Sequence, residues 1–421
     1  MITTVKGTRD LLPPESFVWN RVEAVARGVF HSFGYGEIRT PLMEPTELFT
    51  RGIGEDTDIV NKEMYTFPDK KGRSLTLRPE GTAPVARAYI SNNLRTLPHP
   101  LRLYYIGPMF RYERPQKGRY RQFSQIGAEI LGPEEPAADL EMFALLVDFL
   151  NKLQFTDLAV GLNSVGCEDC RPGYRAALHA VLEGHRGELC TDCVRRIDTN
   201  PLRVLDCKEE GCRPVKALLP SIGGHLCATC SAHLRFVEEG LRALKIPYQL
   251  HDRLVRGLDY YTRTVFEVVS GRLGAQNAIC GGGRYDRLIA DLGGPKVPGI
   301  GFAIGQDRLI EILPEAFKAA VKPGLDYFVV PVSPAELLPA FELAAKLRSK
   351  GKTAGVALDG KGLKKGLKFA AATGAVRALL LGEEELRAGE VVVKNLNTGE
   401  HGRKKIIEII DSSDERNTNF K

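Results

Sequence analysis

Two stretches of the chain carry residue types whose spacing could do chemistry. The first is a pair of extended segments, Leu101 to Glu113 and Arg121 to Leu131, joined by the polar loop Arg114-Pro115-Gln116-Lys117-Gly118-Arg119-Tyr120. This pattern predicts a long β-hairpin. Side chains alternate faces along a strand. Arg111 and Glu113 then share one face of the first strand, and Gln125, Gly127 and Glu129 share one face of the second. A solvated sheet face usually carries lysine, and neither strand has one. Gly127 sits mid-strand, where glycine weakens a sheet unless something approaches closely. Arg, Gln and Glu around a glycine gap suit a small zwitterion beside a phosphate, because a guanidinium binds phosphate oxygens bidentately and stays charged.

The second stretch is rich in cysteine. Of nine cysteines, eight form the pairs Cys167/Cys170, Cys190/Cys193, Cys207/Cys212 and Cys227/Cys230, while Cys280 stands apart. In a reducing compartment such clustering favours metal or redox chemistry over a disulfide framework. Three pairs have the spacing that lets both thiolates face one tetrahedral ion, and eight ligands fill two four-cysteine zinc sites. The competing reading is a helical insert with incidental thiols.

The elements that must position these groups are readable from periodicity. Val18, Val22, Val25, Val29 and Phe33 recur at helical steps over 15–33, and Gly34-Tyr35-Gly36 ends that helix before the extended Glu37-Ile38-Arg39-Thr40-Pro41. A helix is expected over Ala137 to Leu153, strand over Arg256 to Val269, a glycine-rich turn over Ile279 to Gly283, and a helix over Phe302 to Leu313. Pro314 to Pro323 reads as a linker. From Asp326 the order strand, helix (335–349), strand (353–357), helix (362–373), strand (376–381), strand (390–394) predicts a small α/β domain. Asp411 to Lys421 is polar and is expected to be a flexible tail.

Composition limits the classes. At about 150 residues per domain, 421 residues exclude a single small binding module. With 43% hydrophobic and 26% charged residues the chain is ordinary globular material. No apolar run approaches the roughly 18–20 residues of a membrane span. Met1 to Gly7 lacks the marks of a signal or transit peptide, so a cytoplasmic location and no membrane partner are expected. The net charge of +6 is compatible with a nucleic-acid partner without arguing for one.

Tyr104 to Phe123, read as Tyr-Tyr-Ile-Gly-Pro-Met-Phe-Arg-Tyr-Glu-Arg-Pro-Gln-Lys-Gly-Arg-Tyr-Arg-Gln-Phe, resembles motif 2 of the class II aminoacyl-tRNA synthetases in its histidyl-tRNA synthetase form. Lys6-Gly7-Thr8-Arg9-Asp10 resembles the start of that family, Glu37 to Pro41 its motif 1, and Gly299 to Arg308 its motif 3. Arg256-Gly257-Leu258-Asp259-Tyr260-Tyr261-Thr262-Arg263-Thr264 resembles a histidine-specific signature, and Gly281-Gly282-Gly283-Arg284-Tyr285-Asp286 resembles a second one. The likeness spans nearly the whole chain, with the motifs in order.

The resemblance implies an α+β fold: a mixed, mostly antiparallel sheet flanked by helices, a helical insertion and a C-terminal α/β anticodon-binding domain. The implied bounds are 1–165 and 236–320 for the catalytic core, 166–235 for the insertion, 326–411 for the anticodon-binding domain and 412–421 for the tail. It implies a histidine–tRNA ligase acting on L-histidine, ATP and tRNA(His), a homodimer, with Mg2+ accompanying ATP. Arg111, Glu113, Arg119 and Arg308 would bind ATP, and Arg111 and Arg256 would be catalytic. Leu77-Arg78-Pro79-Glu80-Gly81-Thr82 resembles the family's amino-group site. Glu80, Thr82 and Gln125, with Glu129, Tyr260, Tyr261 and Tyr285, would therefore hold histidine. Discrimination by lost hydrogen bonds can be large, so no editing domain is expected. Gly281 to Gly283 would pack closely beside the substrate, and Ser124 and Gln306 take no role. Arg114 and Gln116 would meet the tRNA end. Lys361, Lys364, Lys365 and Lys368 either contact tRNA phosphates or form a solvated face. Where family members often have Gln and Asp in this helix, the chain has Gly366 and Ala372. The rival readings are a regulatory subunit of ATP phosphoribosyltransferase built on the same core, and a zinc-dependent nucleic-acid-binding module with a degenerate core.

Overall fold

The structure is a computed structural model that describes residues 2–55, 57–116, 118–270, 278–321, 324–358 and 362–412. The chain divides into two compact units, Met1–Lys318 and Ala319–Lys421.

The first unit is built on an eight-stranded sheet in the order Gly36–Glu37, Leu101–Phe110, Gln122–Leu131, Gly299–Gly305, Ala278–Arg284, Thr262–Ser270, Leu158–Ser164, Tyr248–Leu250. Only the two outermost pairings are parallel. The inner pairings are antiparallel. The hairpin is present, with Tyr105 opposite Gly127 and Phe110 opposite Gln122. Its first strand ends at Phe110, so Arg111 and Glu113 project from the turn rather than from a strand face.

Helix Glu15–Ser32 packs on this sheet through Trp19, Val22, Ala26, Val29 and Phe30. The buried stripe is shifted from the expected one: Val18, Val25 and Phe33 are only half-buried. Phe30 is the hub, with its ring centroid 5.0 Å from Tyr104 and 5.8 Å from Phe149 on helix Ala137–Lys152. Burying each such large apolar side chain contributes about 1.5–3 kcal/mol.

Three expectations around the signatures are corrected. Residues 256–261 form a loop, and the strand starts at Thr262. Ile279 to Gly283 is the middle of strand Ala278–Arg284, not a turn. Gly299–Gly305 is a strand, which leaves only Gln306–Glu311 of the expected helix. The expected linker also carries a short helix, Glu315–Ala320. The cysteine-bearing stretch folds as short helices, Arg171–Gly184, Thr191–Thr199, Arg213–Leu218 and Ala228–Ala243, around a small core that includes Tyr174, Leu178, Ile197 and Val204.

The second unit has a five-stranded sheet in the order Ala354–Val356, Tyr327–Pro331, Arg377–Leu381, Glu390–Asn395, His401–Lys405. The first three strands are parallel and the last two antiparallel. Helices Leu337–Ser349 and Leu363–Ala372 cross between parallel strands, as such connections require. Helix Glu383–Ala388, strand His401–Lys405 and helix Ile406–Asp411 are additions to the expected pattern. Gly366 explains itself by packing: a Cβ there would strike Val330, so it lets its helix lie close on the sheet. Lys364, Lys365 and Lys368 are exposed on that helix, while Lys361 and residues 413–421 lie outside the described residues. Among the described residues, no helix is long and apolar enough to cross a membrane.

Candidate active site

The hairpin, the two signature peptides and helix Thr82–Ser91 enclose a cleft of about 590 Å3 in the first unit. Its floor is polar although buried. Glu80 is 3% exposed and Glu129 is fully buried. Glu80 accepts hydrogen bonds from the backbone N–H groups of Thr82 (2.6 Å) and Ala83 (2.8 Å), the first amides of the helix. Helix N-termini favour negative charge there. Glu129 accepts from the Thr82 hydroxyl at 2.8 Å and from the Tyr285 hydroxyl at 2.6 Å. Burial raises both carboxyls. For Glu129 burial outweighs those two hydrogen bonds and the nearby Glu80 charge adds to it, so its pKa is pushed up to about 8. For Glu80 burial is opposed chiefly by the two backbone amides. Two desolvated acids joined through Thr82 make a floor that favours a cationic ligand.

Tyr260, Tyr261 and Tyr285 wall this end, with ring centroids 4.8 Å apart for Tyr260 and Tyr261 and 5.8 Å for Tyr260 and Tyr285. Gln125 is buried on the cleft wall, and its Oε1 has no partner among the described residues. Tyr285 is held by its neighbour Arg284, whose fully buried guanidinium donates to Asp139 (2.8 Å), Asp286 (3.0 Å) and the carbonyls of Pro133 (3.2 Å) and Glu135 (2.8 Å). A buried arginine with its donors met fixes the strand end rigidly, whereas removal of one partner would strand a charge.

Guanidinium groups dominate the other end. Arg111 donates to the Pro79 carbonyl at 2.9 Å and lies 5.4 Å from the Phe123 ring centroid. Arg119 donates to Glu113 at 3.2 Å, and Glu113 lies 3.9 Å from Arg111. Arg308 is lowered by burial and then by the charge of Arg119, a repulsion that a bound polyanion would relieve. Arg256 pairs with Glu267 at 3.2 Å and lies against strand Ala278–Arg284. A Cβ on Gly281 would overlap its guanidinium. The glycine-rich strand thus gives Arg256 room above the sheet.

Glu80, Thr82, Arg111, Glu113, Arg119, Gln125, Arg256, Tyr260, Tyr261, Tyr285 and Arg308 all line this one cleft, and Glu129 lies in its floor. Arg114 and Gln116 are exposed on the hairpin loop and do not line it. Gly127 is not a gap for a ligand: Tyr105 fills it, packed where a Cβ would stand. Ser124 has a backbone role, donating its N–H to Asp307 at 3.0 Å. Asp307 also accepts from Arg9 at 3.2 Å, which ties the chain start to the hairpin. Gln306 donates to Glu23 at 3.2 Å. Sequence reading missed Glu267, Asp307 and the insertion residues Leu205, Asp206 and Lys208, which also line the cleft. For Glu267 strand alternation alone held a signal, since Glu267 pairs with Gly281 in the sheet.

A mostly antiparallel sheet with this hairpin, this arginine-lined cleft and a separate α/β unit defines a class II aminoacyl-tRNA synthetase. The histidyl-tRNA synthetase family model matches residues 7–309, and an anticodon-binding domain model matches residues 326–415. A histidine–tRNA ligase of Nitratidesulfovibrio vulgaris is 51% identical over 400 residues, 95% of either chain. That of Desulforudis audaxviator is 48% identical over 416 residues, 98% of either chain. The crystal structure of apo histidyl-tRNA synthetase from S. aureus superposes with a TM-score of 0.83 at 36% identity, covering 98% of this chain and 99% of that one. The chain belongs to the histidyl-tRNA synthetase family.

Proposed function

We propose that this cleft activates L-histidine with ATP and transfers the histidyl group to the 3′ end of tRNA(His). The observation that carries the reading is the meeting of Arg111, Arg119, Arg256 and Arg308 over a floor holding two buried acids. A histidine carboxylate attacks the α-phosphorus of ATP, the bond from that phosphorus to the bridging oxygen breaks, and pyrophosphate leaves. The terminal ribose hydroxyl of tRNA then attacks the adenylate carbonyl and AMP leaves. In-line phosphoryl transfer depends mostly on positioning and charge stabilisation. Arg111 and Arg256 flank the reacting carboxylate and α-phosphate, where their charge offsets that of the transition state. Arg119 and Arg308 hold the β/γ end, with Glu113 orienting Arg119.

Glu80, Thr82 and Gln125 receive the ammonium end of histidine. Glu129, backed by Tyr285, and the Tyr260–Tyr261 pair receive the imidazole. An analogue without ring nitrogens gives Glu129 no partner beyond Thr82 and Tyr285 in a dry site, which is the basis of selection. Mg2+ bound with ATP would screen its phosphates, and Glu113 and Glu267 are the cleft carboxylates whose oxygens would hold it. Arg114 and Gln116 meet the tRNA end, and the exposed lysines of the second unit contact tRNA phosphate. A homodimer in the cytoplasm and zinc in the cysteine-rich insertion belong to the same reading.

The regulatory-subunit alternative is disfavoured. Here Arg256 lines the cleft, and the two relatives described above are named ligases. Histidine-dependent ATP–pyrophosphate exchange with Mg2+ tests the proposal. Arg256→Ala should cut the exchange kcat by roughly a hundredfold or more while histidine binding changes little. Absence of exchange in the parent protein would refute the enzyme.

A further inference from the structure

We propose that the cysteine-rich insertion is a two-zinc module whose ions hold the Arg256–Tyr261 peptide in its working position; the kinetic half of this rests on the histidine activation proposed above. The fold sorts the eight thiols into two nested tetrads. Cys190, Cys193, Cys207 and Cys212 form the inner one, Cys167, Cys170, Cys227 and Cys230 the outer, and within each the sulfurs lie within 4.8 Å of one another. Sequence spacing pairs neighbours; only the fold brings Cys167 and Cys227 together across the insertion.

The distances select one kind of occupant. Sγ–Sγ separations are 3.7 Å for Cys167–Cys170, 3.8 Å for Cys167–Cys227 and 3.8 Å for Cys190–Cys207. A disulfide would close to about 2.05 Å. Four sulfurs each about 2.3 Å from a tetrahedral zinc stand about 3.8 Å apart. Sulfurs this close enclose a single ion and leave no room for a cluster. Backbone N–H groups already point at the thiols: Cys190 donates to Cys212 at 3.2 Å and Cys227 to Cys170 at 3.1 Å. Bonds of this kind orient ligands and stabilise thiolate charge. Each site has four protein ligands and no open position, which is the structural rather than the catalytic form. The insertion is small and has its own small core, the size at which a metal staple supplements packing.

Both tetrads are tied to the signature peptide. Arg203 lies on the segment between Cys193 and Cys207 of the inner site and is 5% exposed. It donates to the carbonyl of Arg256 at 2.9 Å and to Asp259 at 2.9 Å, and Asn200 donates to Asp259 at 3.1 Å. Arg171 follows Cys170 of the outer site and donates to the carbonyl of Tyr261. The peptide is therefore gripped at both ends by positioning residues whose own segments are anchored by cysteines. Release of the ions would loosen both grips, and displacing a reacting group by about 1 Å can cost a hundredfold in rate.

The test uses the full-length protein purified in reducing buffer without added metal. Elemental analysis should find two zinc ions per chain. Cys190→Ser/Cys193→Ser and Cys167→Ser/Cys170→Ser should each retain one. Should either variant misfold, replacement of zinc by Co2+ in the parent protein should give two equivalents of the intense visible spectrum of tetrahedral thiolate cobalt. No zinc with no such cobalt spectrum, or coloured iron in place of zinc, overturns the metal assignment. For the coupling, Arg203→Gln keeps all eight ligands and should keep two zinc ions. It should lower the kcat of histidine-dependent exchange roughly tenfold or more, with the KM values for histidine and ATP moving less than about threefold. Zinc removal by a chelator should reproduce that split and zinc re-addition reverse it. Unchanged kcat in both arms overturns the coupling. Two zinc ions in a parent protein devoid of exchange would instead sink the ligase reading and leave the sites standing.

Discussion

Glu129→Gln separates what the cleft floor does for stability from what it does for substrate. The Glu129 carboxyl is fully buried, and burial pushes it from the ordinary value of 4.5 up to about 8. The folded chain therefore keeps a proton that the unfolded chain releases. Because the folded value is the higher one, the stabilisation is complete below the unfolded value and is lost as pH rises towards the folded one. Each pH unit between the two costs about 1.4 kcal/mol, so by pH 8 the loss is on the order of 4–5 kcal/mol as an upper figure. Glutamine has the same shape, can keep the Thr82 and Tyr285 contacts, and has no proton to lose. The variant should match the parent near pH 4.5 and then gain on it steadily up to pH 8, read as a widening Tm difference in thermal melts. Histidine should move the other way. A bound neutral imidazole can take the Glu129 proton and pair with the carboxylate so formed, whereas glutamine has no proton to give; losing a charge-assisted hydrogen bond of about 1.5–3 kcal/mol raises the histidine KM roughly 10- to 100-fold. A Tm gap that stays constant between pH 5 and 8 would refute the reasoning, since it would mean the carboxyl is not held protonated by burial.

Gly281→Ala places a methyl group against the Arg256 guanidinium; exchange kcat should fall at least tenfold with the melting transition nearly unmoved, measured side by side. Arg119→Ala and Arg308→Ala should each raise the KM for ATP by about tenfold or more and leave that for histidine within a few-fold, because they stand at the polyphosphate end. The double change Lys364→Glu/Lys368→Glu should raise the KM for tRNA and flatten its salt dependence while pyrophosphate exchange stays at the parent rate, since those lysines are exposed on the second unit.

Much of the molecule was legible because its signals are local. The alternation from Leu101 to Leu131 required a hairpin, and the strand–helix order after Asp326 required an α/β unit; both are present. Long-range causes were not legible. Arg203, on an unremarkable stretch of the insertion, gains its meaning only from Asp259 and the Arg256 carbonyl. Arg284 looked like a signature residue and proves to be the buried anchor of Tyr285, with Asp139 supplied from 145 positions away. The run Gly281-Gly282-Gly283 has the composition of a turn. It is strand because other groups occupy the space of the missing side chains: Arg256 at Gly281, Phe266 at Gly282 and Tyr261 at Gly283.

The same packing governs how the cleft reaches its geometry. A long arginine loses considerable rotamer freedom when ordered, so convergence of several on one substrate needs surfaces that confine them. Strand Ala278–Arg284 supplies such a surface by omission: without a Cβ at Gly281, the Arg256 guanidinium lies against backbone and between that strand and Glu267. Gly301 does the same for Glu129, whose Oε2 occupies the place a Cβ would take. The charged group and the glycine beneath it form one unit across the sheet, although they lie 25 and 172 positions apart in the chain. Conservative changes to the charges alone would therefore understate how the site is built, since restoring Arg256 cannot rescue a chain in which Gly281 has been replaced.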